Sequence, residues 1–280
     1  MSPCLRVSVA NCLPMKITSR DNSLLRRARS VRDGKVDDLI FVEGLRLCEE
    51  ALRSDLKIEA LIYSDQIARK DRASKLIAEI ESSADKTAAV SENLLESISY
   101  TKTPQGIILL ASRPVISQEE FQKKQSSTPL IVILHGISNP VNVGAILRTA
   151  EAAGVTGAIV TPNTADPFSP KSLRGAMGSA FRLPIRAGSS YPDVISWCRE
   201  QKIRTVCAVV SGQKPFTELD WRKPWALILG PESTGLSEEE IAAANESVFI
   251  PMAGQVESLN VAVATGILLY EASMQRRTPV

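Results

Sequence analysis

The sequence predicts an α/β protein built in two parts. Short apolar runs alternate with amphipathic stretches from Ile17 onward, the pattern of strands followed by helices. The alternation breaks once, at the polar stretch 113–128 (RPVISQEEFQKKQSST), with Pro114 near its start and Pro129 just after it. It resumes at Leu130 with a strand–helix–strand pattern that implies parallel pairing. A chain of 280 residues is long enough for two such cores.

In the first part, Ser19 is placed to cap a helix from about Asp21 to Arg32. Leu24, Leu25, Ala28 and Val31 form its apolar stripe, which leaves the arginines largely outward. Leu39 to Val42 reads as a short strand ended by Glu43-Gly44, and a helix follows to Arg53. Ile58 to Tyr63, Ala88 to Val90 and Ile107 to Ala111 read as strands, with a helix across Ala73 to Ile80.

In the second part, strand Leu130 to Leu134 leads to a helix from Val143 to Ala153, stopped by Gly154. A strand at Ala158 to Val160 completes that unit. Helices near Lys171 to Ser179 and Tyr191 to Gln201, and strands at Thr205 to Val210 and Trp225 to Leu229, continue the pattern. Ser237 and Glu240 fit a capping box ahead of Ile241. A strand near Val248 to Ile250 precedes a final helix that is apolar on nearly every face. Topology rules alone make this an open, doubly wound sheet.

Composition narrows the function classes. The hydrophobic fraction of 44% suits a soluble globular protein, and no apolar run is long and uninterrupted enough to span a membrane. Five cysteines with no C-x-x-C pair, and a single histidine, argue against a zinc site and for reduced thiols in the cytoplasm. No metal or membrane partner is expected. Residues 1–14 read as a disordered tail or as preceding the true start at Met15, with a short organellar presequence the lesser alternative. The net charge is only +2, but Arg20, Arg26, Arg27, Arg29 and Arg32 cluster early in the chain. They suit RNA phosphate, or form a solvated helix face.

Three later segments carry chemistry. The first is NPVNVGAILRTAEAAG, from Asn139 to Gly154; the second is LILGPESTGLS, from Leu227 to Ser237. The third, IPMAGQVESLNVAVATGILLYE, runs from Ile250 to Glu271 and passes from a strand through a small-residue loop into the last helix. Ser258 and Asn260 lie at the mouth of that helix, where orphan N–H groups need partners. They suit a ligand site, or a plain helix cap.

Together the three segments resemble the signature motifs of the SpoU (TrmH-type) RNA 2'-O-ribose methyltransferases of the SPOUT superfamily. The resemblance covers nearly the whole chain after residue 15. It implies an L30e-like RNA substrate-binding domain over 15–112, a linker over 113–128, and a methyltransferase domain with a deep trefoil knot over 129–280. In that knot the C-terminal helix threads under the loops after Gly230 and Ile250. S-adenosylmethionine is the implied cofactor, RNA the substrate, and a second copy of the chain the partner in a homodimer.

The resemblance also implies site residues. Asn142 and Arg148 match its N-x-G-x-x-x-R motif with Gly144, and Glu232 is the acidic residue of G-x-E. With Asn260 these form the implied catalytic set. Gly230, Ile250 and Leu259 match cofactor positions, with Met252 and Asn260 beside them. In the family this arginine acts directly on the attacking ribose hydroxyl. A charged guanidinium has no acceptor, so Arg148 is expected to orient ribose or phosphate and to stabilise alkoxide charge, with Glu232 as its carboxylate partner. Locally, each has a plainer alternative: Asn142 as a helix cap, Arg148 paired with Glu151, Glu232 stabilising a turn. Lys171 and Arg174 share a helix face and suit RNA phosphate or solvent. His135 stands where an acidic residue is usual and Val141 where glycine is frequent; His135 is expected to be structural.

The favoured substrate is ribosomal RNA. Transfer RNA is the alternative, and a non-catalytic RNA-binding assembly factor belongs to a different class, which intact Asn142, Arg148, Glu232 and Asn260 argue against. A dinucleotide enzyme lacks support, since neither half carries G-x-G-x-x-G after its first strand.

Overall fold

A computed structural model describes residues 14–277. The tail expected at 1–14 lies, but for Pro14, outside the described residues. The chain divides into two compact units that meet at Arg113–Pro114.

The first unit runs β1 (Met15–Ile17), α1 (Ser23–Arg32), β2 (Leu39–Glu43), α2 (Leu45–Arg53), β3 (Ile58–Ser64), α3 (Asp71–Glu81), β4 (Lys86–Val90), α4 (Glu92–Ile98) and β5 (Ile107–Ser112). Its sheet has the order β1-β4-β3-β5-β2. β1, β4 and β3 are parallel, whereas β5 runs antiparallel to both β3 and β2. The buried stripe of α1 is Leu24, Leu25, Ala28 and Val31, as the periodicity predicts. Its cap is a correction. Asn22, not Ser19, accepts the Leu24 N–H, and Ser19 instead takes the Asp21 N–H. β1 and α4 escaped the sequence reading. β1 is only three residues long, and α4 follows β4 with only Ser91 between them.

The arginines of α1 are more occupied than charge alone suggests. Arg27 pairs with Glu59, Arg29 donates to the Arg20 carbonyl, and Arg32 pairs with Asp33 and donates to the Ser99 carbonyl. Arg26 alone of the four is exposed without a partner among the described residues. The picture of a uniformly outward basic face therefore needs correcting: three of the four guanidiniums brace the unit itself.

The second unit begins inside the stretch read as a linker. Residues Gln118–Lys123 form α5, opened by a Ser117/Glu120 capping box, and Phe121 is fully buried against Trp197. One aromatic in a polar hexapeptide is enough to dock it, a signal too short to show as periodicity. There follow β6 (Leu130–Leu134), α6 (Pro140–Ala152), β7 (Gly157–Val160), α7 (Pro170–Ala176), α8 (Ser179–Arg182), β8 (Ile185–Ala187), α9 (Tyr191–Glu200), β9 (Arg204–Ala208), β10 (Lys214–Pro215), β11 (Trp225–Leu229), α10 (Glu238–Ala243), β12 (Glu246–Phe249) and α11 (Val261–Arg277).

All seven strands pair in parallel, in the order β10-β12-β9-β11-β6-β7-β8. A parallel sheet covered on both faces demands continuous apolar strands. β6 (LIVIL) and β11 (WALIL) meet that demand, with every residue buried. The chain leaves β6 for β7 and β8 on one side, then crosses to β9 on the other. This reversal opens a crevice at the carboxyl ends of the strands.

Two helices set the geometry of that crevice. α6 crosses α7 closely enough that a Cβ on Gly144 would lie 2.3 Å from the Ser172 carbonyl oxygen and 2.9 Å from the Gly175 Cα. Gly144 thus admits a helix backbone, not a ligand. α11 is held at its far end by Arg276, which donates to the carbonyls of Trp221, Thr128, Pro129 and Lys223. These close the otherwise unpaired chain entering β6 and β11.

His135, at the end of β6, is structural. Its Nδ1 lies 2.9 Å from Thr161 Oγ1 and its Nε2 2.9 Å from Glu240 Oε1, and its ring packs on Tyr191. Glu240 closes the Ser237 capping box. Burial works to raise the Glu240 carboxyl, but its bonds to Ser237 and His135 outweigh this and hold it below the usual range. Cys48, Cys198 and Cys207 are free and buried. Burial pushes Cys198 up to about 12 and Cys207 up to about 11, far from reactive thiolate chemistry. Cys4 and Cys12 lie outside the described residues. Among those residues no group of three His, Cys, Asp or Glu is placed to hold a metal ion, and no helix is long and apolar enough to cross a membrane.

Gly144→Ala drives a methyl group into backbone that has no room to yield. It is expected to cost about 2–3 kcal/mol, seen as a lower urea midpoint at unchanged slope. Loss below 0.5 kcal/mol would show that the helices slide apart freely. Glu240→Gln weakens both the cap and the histidine bond, at about 1 kcal/mol near neutral pH. The folded carboxyl is depressed, so its contribution is present above the ordinary value of 4.5 and fades as pH falls through the folded value. The gap between wild type and Glu240→Gln should therefore close in acid, and urea titrations at pH 7 and pH 4 measure it.

Candidate active site

The crevice at the strand ends is a pocket of about 550 Å³. The last residues of β9 and β11 reach it as Ala208 and Leu229, and Ile250 follows directly on β12. Gly230 turns the chain out of β11. A Cβ there would lie 2.6 Å from Leu236 Cγ, so only glycine lets Leu236 fold over the opening. Leu236 and Ile241 line the wall beyond. The opposite wall is the loop Met252 to Asn260 and the first turn of α11, including Val261 and Ala264. All five residues expected at a cofactor, Gly230, Ile250, Met252, Leu259 and Asn260, line this one pocket. Glu232 and Ser258 line it too.

Asn260 organises the mouth. Its Oδ1 accepts the N–H groups of Ala262 at 2.9 Å and Val263 at 3.3 Å, so it caps α11. Ser258, the alternative cap, takes no such role and faces the pocket. The Asn260 Nδ2 donates to Asn142 Oδ1 at 3.3 Å. Asn142 is therefore not the cap of α6. That cap is Asn139, whose side chain accepts the Val141 N–H ahead of Pro140 at the first helical position. Asn142 lies within the first turn, buried, with its amide turned to the last helix. Val141 is exposed beside it.

Arg148 lies further along α6, exposed, and makes no hydrogen bond or ion pair with a described residue. The expected alternative partner, Glu151, is taken by both arms of Arg182. Glu232 is likewise exposed and unpaired within the described residues, so the expected Arg148–Glu232 pair is absent from the single chain. Lys171 and Arg174 are both exposed on α7, also without partners. Asn142, Asn260 and Glu232 thus belong to the pocket or its rim. Arg148 reaches that region through α6, which Asn142 ties to the pocket wall. Leu236 and Ala264, both pocket-lining, were missed by sequence reading; each looked like ordinary core.

The walls are apolar at Leu229, Leu236, Ile250, Met252 and Leu259, with a few polar groups at Glu232, Ser258 and Asn260. That is the composition of a site for a mid-sized ligand with an aromatic body and polar ends.

Comparison with known proteins agrees with this geometry. Residues 129–270 match the SpoU rRNA Methylase family, and residues 25–109 match the MRM3-like substrate binding domain. An uncharacterized tRNA/rRNA methyltransferase of Synechocystis is 31% identical, over 93% of this chain and 94% of its own. The 23S rRNA (guanosine(2553)-2'-O)-methyltransferase RlmP of Bacillus subtilis is 28% identical, over 82% of this chain and 86% of its own. The crystal structure of the SpoU methyltransferase AviRb from Streptomyces viridochromogenes, in complex with AdoMet, superposes with a TM-score of 0.82. It is 26% identical and covers 91% of this chain and 98% of that one. The chain belongs to the SpoU rRNA methylase family.

Proposed function

We propose that this protein transfers a methyl group from S-adenosylmethionine to a ribose 2'-hydroxyl of ribosomal RNA. The observation that carries the reading is the convergence of Gly230, Glu232, Ile250, Met252, Leu259 and Asn260 on one pocket, bonded through Asn260–Asn142 to the helix that bears Arg148. The named activities of RlmP and AviRb's bound AdoMet support it.

The cofactor supplies an activated methyl group on a sulfonium. Leu229, Leu236, Ile250, Met252 and Leu259 give the apolar surface that its adenine and thioether need, and the loop amides and Asn260 meet its polar ends. Arg148 stays charged. It donates to ribose or phosphate oxygen and stabilises the alkoxide as the hydroxyl loses its proton. Glu232, the one carboxylate among the lining residues, takes that proton. Holding both reactants in line supplies much of the remaining barrier.

The fold reading extends to a trefoil knot in which α11 passes beneath the loops after Gly230 and Ile250, and to an L30e-like first domain. The shared pocket of those two loops and the first turn of α11 supports the knot. Arg20 and Arg26 on the first unit, and Lys171 and Arg174 on the second, remain open to phosphate. The homodimer reading rests on Val263, Tyr270 and Met274, 53%, 53% and 60% exposed, which fall on one face of α11.

S-adenosylhomocysteine should bind the protein without RNA, as a saturable heat in calorimetry. Arg148→Ala should keep that heat and lose at least ~100-fold in methylation of ribosomal RNA fragments. Full turnover by a folded Arg148→Ala protein would show the arginine to be misassigned. For the dimer, light scattering at micromolar concentration should give twice the chain mass. Val263→Glu with Met274→Glu should bring it to a single chain, while an unchanged dimer would move the interface elsewhere.

A further inference from the structure

The second unit holds another pocket, of about 290 Å³, lined by Ile195, Arg199, Lys202, Arg204, Thr205 and Asn245, among others. It lies at the amino-terminal ends of the strands. β9 enters it at Arg204 and Thr205 and reaches the cofactor pocket at Ala208. Four residues of strand separate the two, roughly 13 Å.

Three of its lining residues are cations and none is a carboxylate. Arg204 is fixed: it bonds Glu246 at 2.7 Å and lies over the Trp225 ring. Glu246 also takes Lys214, so its charge is shared between two cations. Arg199 and Lys202 are exposed and make no side-chain hydrogen bond or ion pair with a described residue. Asn245 spends its Oδ1 on the Thr205 N–H and hydroxyl, which points its amide NH2 group outward as a further donor.

Lys202 occupies an unusual place. It follows α9 at φ 57°, the left-handed conformation that normally selects glycine at a helix end. Its N–H bonds the Arg199 carbonyl, and the Ile203 N–H bonds that of Cys198. The helix end is thereby closed by backbone alone, and the lysine side chain has no part in closing it. A β-carbon is tolerated there at a cost, and the ammonium it carries is aimed at a cavity with two more cations.

We propose that this pocket binds a phosphodiester of the RNA substrate, as a second anchoring site away from the methyl-transfer centre. The inference rests on RNA being the substrate. A phosphate oxygen accepts from a guanidinium, an ammonium and an amide together, and the apolar floor of Ile195, Ile203 and Ala243 keeps competing water low. Arg199 and Lys202 also offset the partial negative charge where α9 ends. That role needs no ligand, and it acts on stability, not on RNA affinity.

The test is filter binding of a labelled 30-nucleotide mixed-sequence RNA hairpin to the full chain, across 50–300 mM KCl. The proteins are wild type, Lys202→Gly, and Arg199→Ala with Lys202→Gly. Glycine relieves the left-handed strain, so Lys202→Gly should hold or raise the Tm while weakening RNA binding. The double variant should lose about tenfold or more in affinity at 100 mM salt. Its log–log salt slope should fall by about two, one per lost phosphate contact. Heats with S-adenosylhomocysteine should not change. Unchanged affinity and slope in a folded double variant would overturn the proposal. Wild type that binds no RNA would overturn the substrate reading with it. A measurement on wild type alone covers any failure to fold: acetylation of Lys202, read by mass spectrometry, should be suppressed by the hairpin. It should not be suppressed by 10 mM inorganic phosphate alone. Suppression by phosphate to the same extent would assign the pocket to a free anion, and suppression by neither would sink it.

Discussion

The active region depends on holding α11 at both ends. At its start, Asn260 caps the first turn through one atom and bonds Asn142 through the other. At its end, Arg276 gathers four carbonyls from the segments that lead into β6 and β11. A helix N-terminus facing a pocket exposes N–H groups and positive partial charge. Asn260 satisfies part of that demand without filling the pocket. Arg276 pays for its partial burial with charge-assisted bonds to the backbone. Between them the helix is fixed against the sheet, and so is the pocket wall.

That arrangement explains which parts of the site the sequence made legible. Gly230, Ile250, Met252, Leu259 and Asn260 lie in two short loops that follow two adjacent stretches of the fold, so their motifs survive as contiguous text. The stripe of α1 and the Ser237/Glu240 box are local for the same reason. Asn142 was harder. An asparagine three residues into an apolar run reads as a cap, and so does Asn139. Pro140 decides between them, because a proline suits the first helical position and Asn139 precedes it. Asn142 is then left inside the helix, where only a partner 118 residues away makes sense of it.

Long-range pairing accounts for the other departures. The basic run of α1 looks uniform in sequence, yet Glu59 and the Ser99 carbonyl, far along the chain, claim Arg27 and Arg32. Charge counted along a sequence overstates what is free to meet a phosphate. The segment 113–128 looked like a linker because its polar residues outnumber its apolar ones. A single buried Phe121 docks it on the second unit. Gly144 inverted its expected meaning. The space it leaves is filled by the backbone of α7, so the glycine positions a helix and does not admit a ligand.

Gly144 and Arg148 therefore work as a pair on one helix, although not as the motif suggests at first sight. The close crossing with α7 fixes the depth of α6, and Asn142 fixes its rotation against α11. Arg148, one turn past Gly144, inherits both constraints. Glu151, its natural helical partner, is held by Arg182 from α8, so the guanidinium has no intramolecular carboxylate to collapse onto. An exposed arginine loses side-chain entropy when ordered and gains little from a surface pair. Leaving Arg148 unpaired thus costs the fold little. It also leaves the charge available to an oxygen brought by the substrate, where the developing negative charge makes the same bond worth far more.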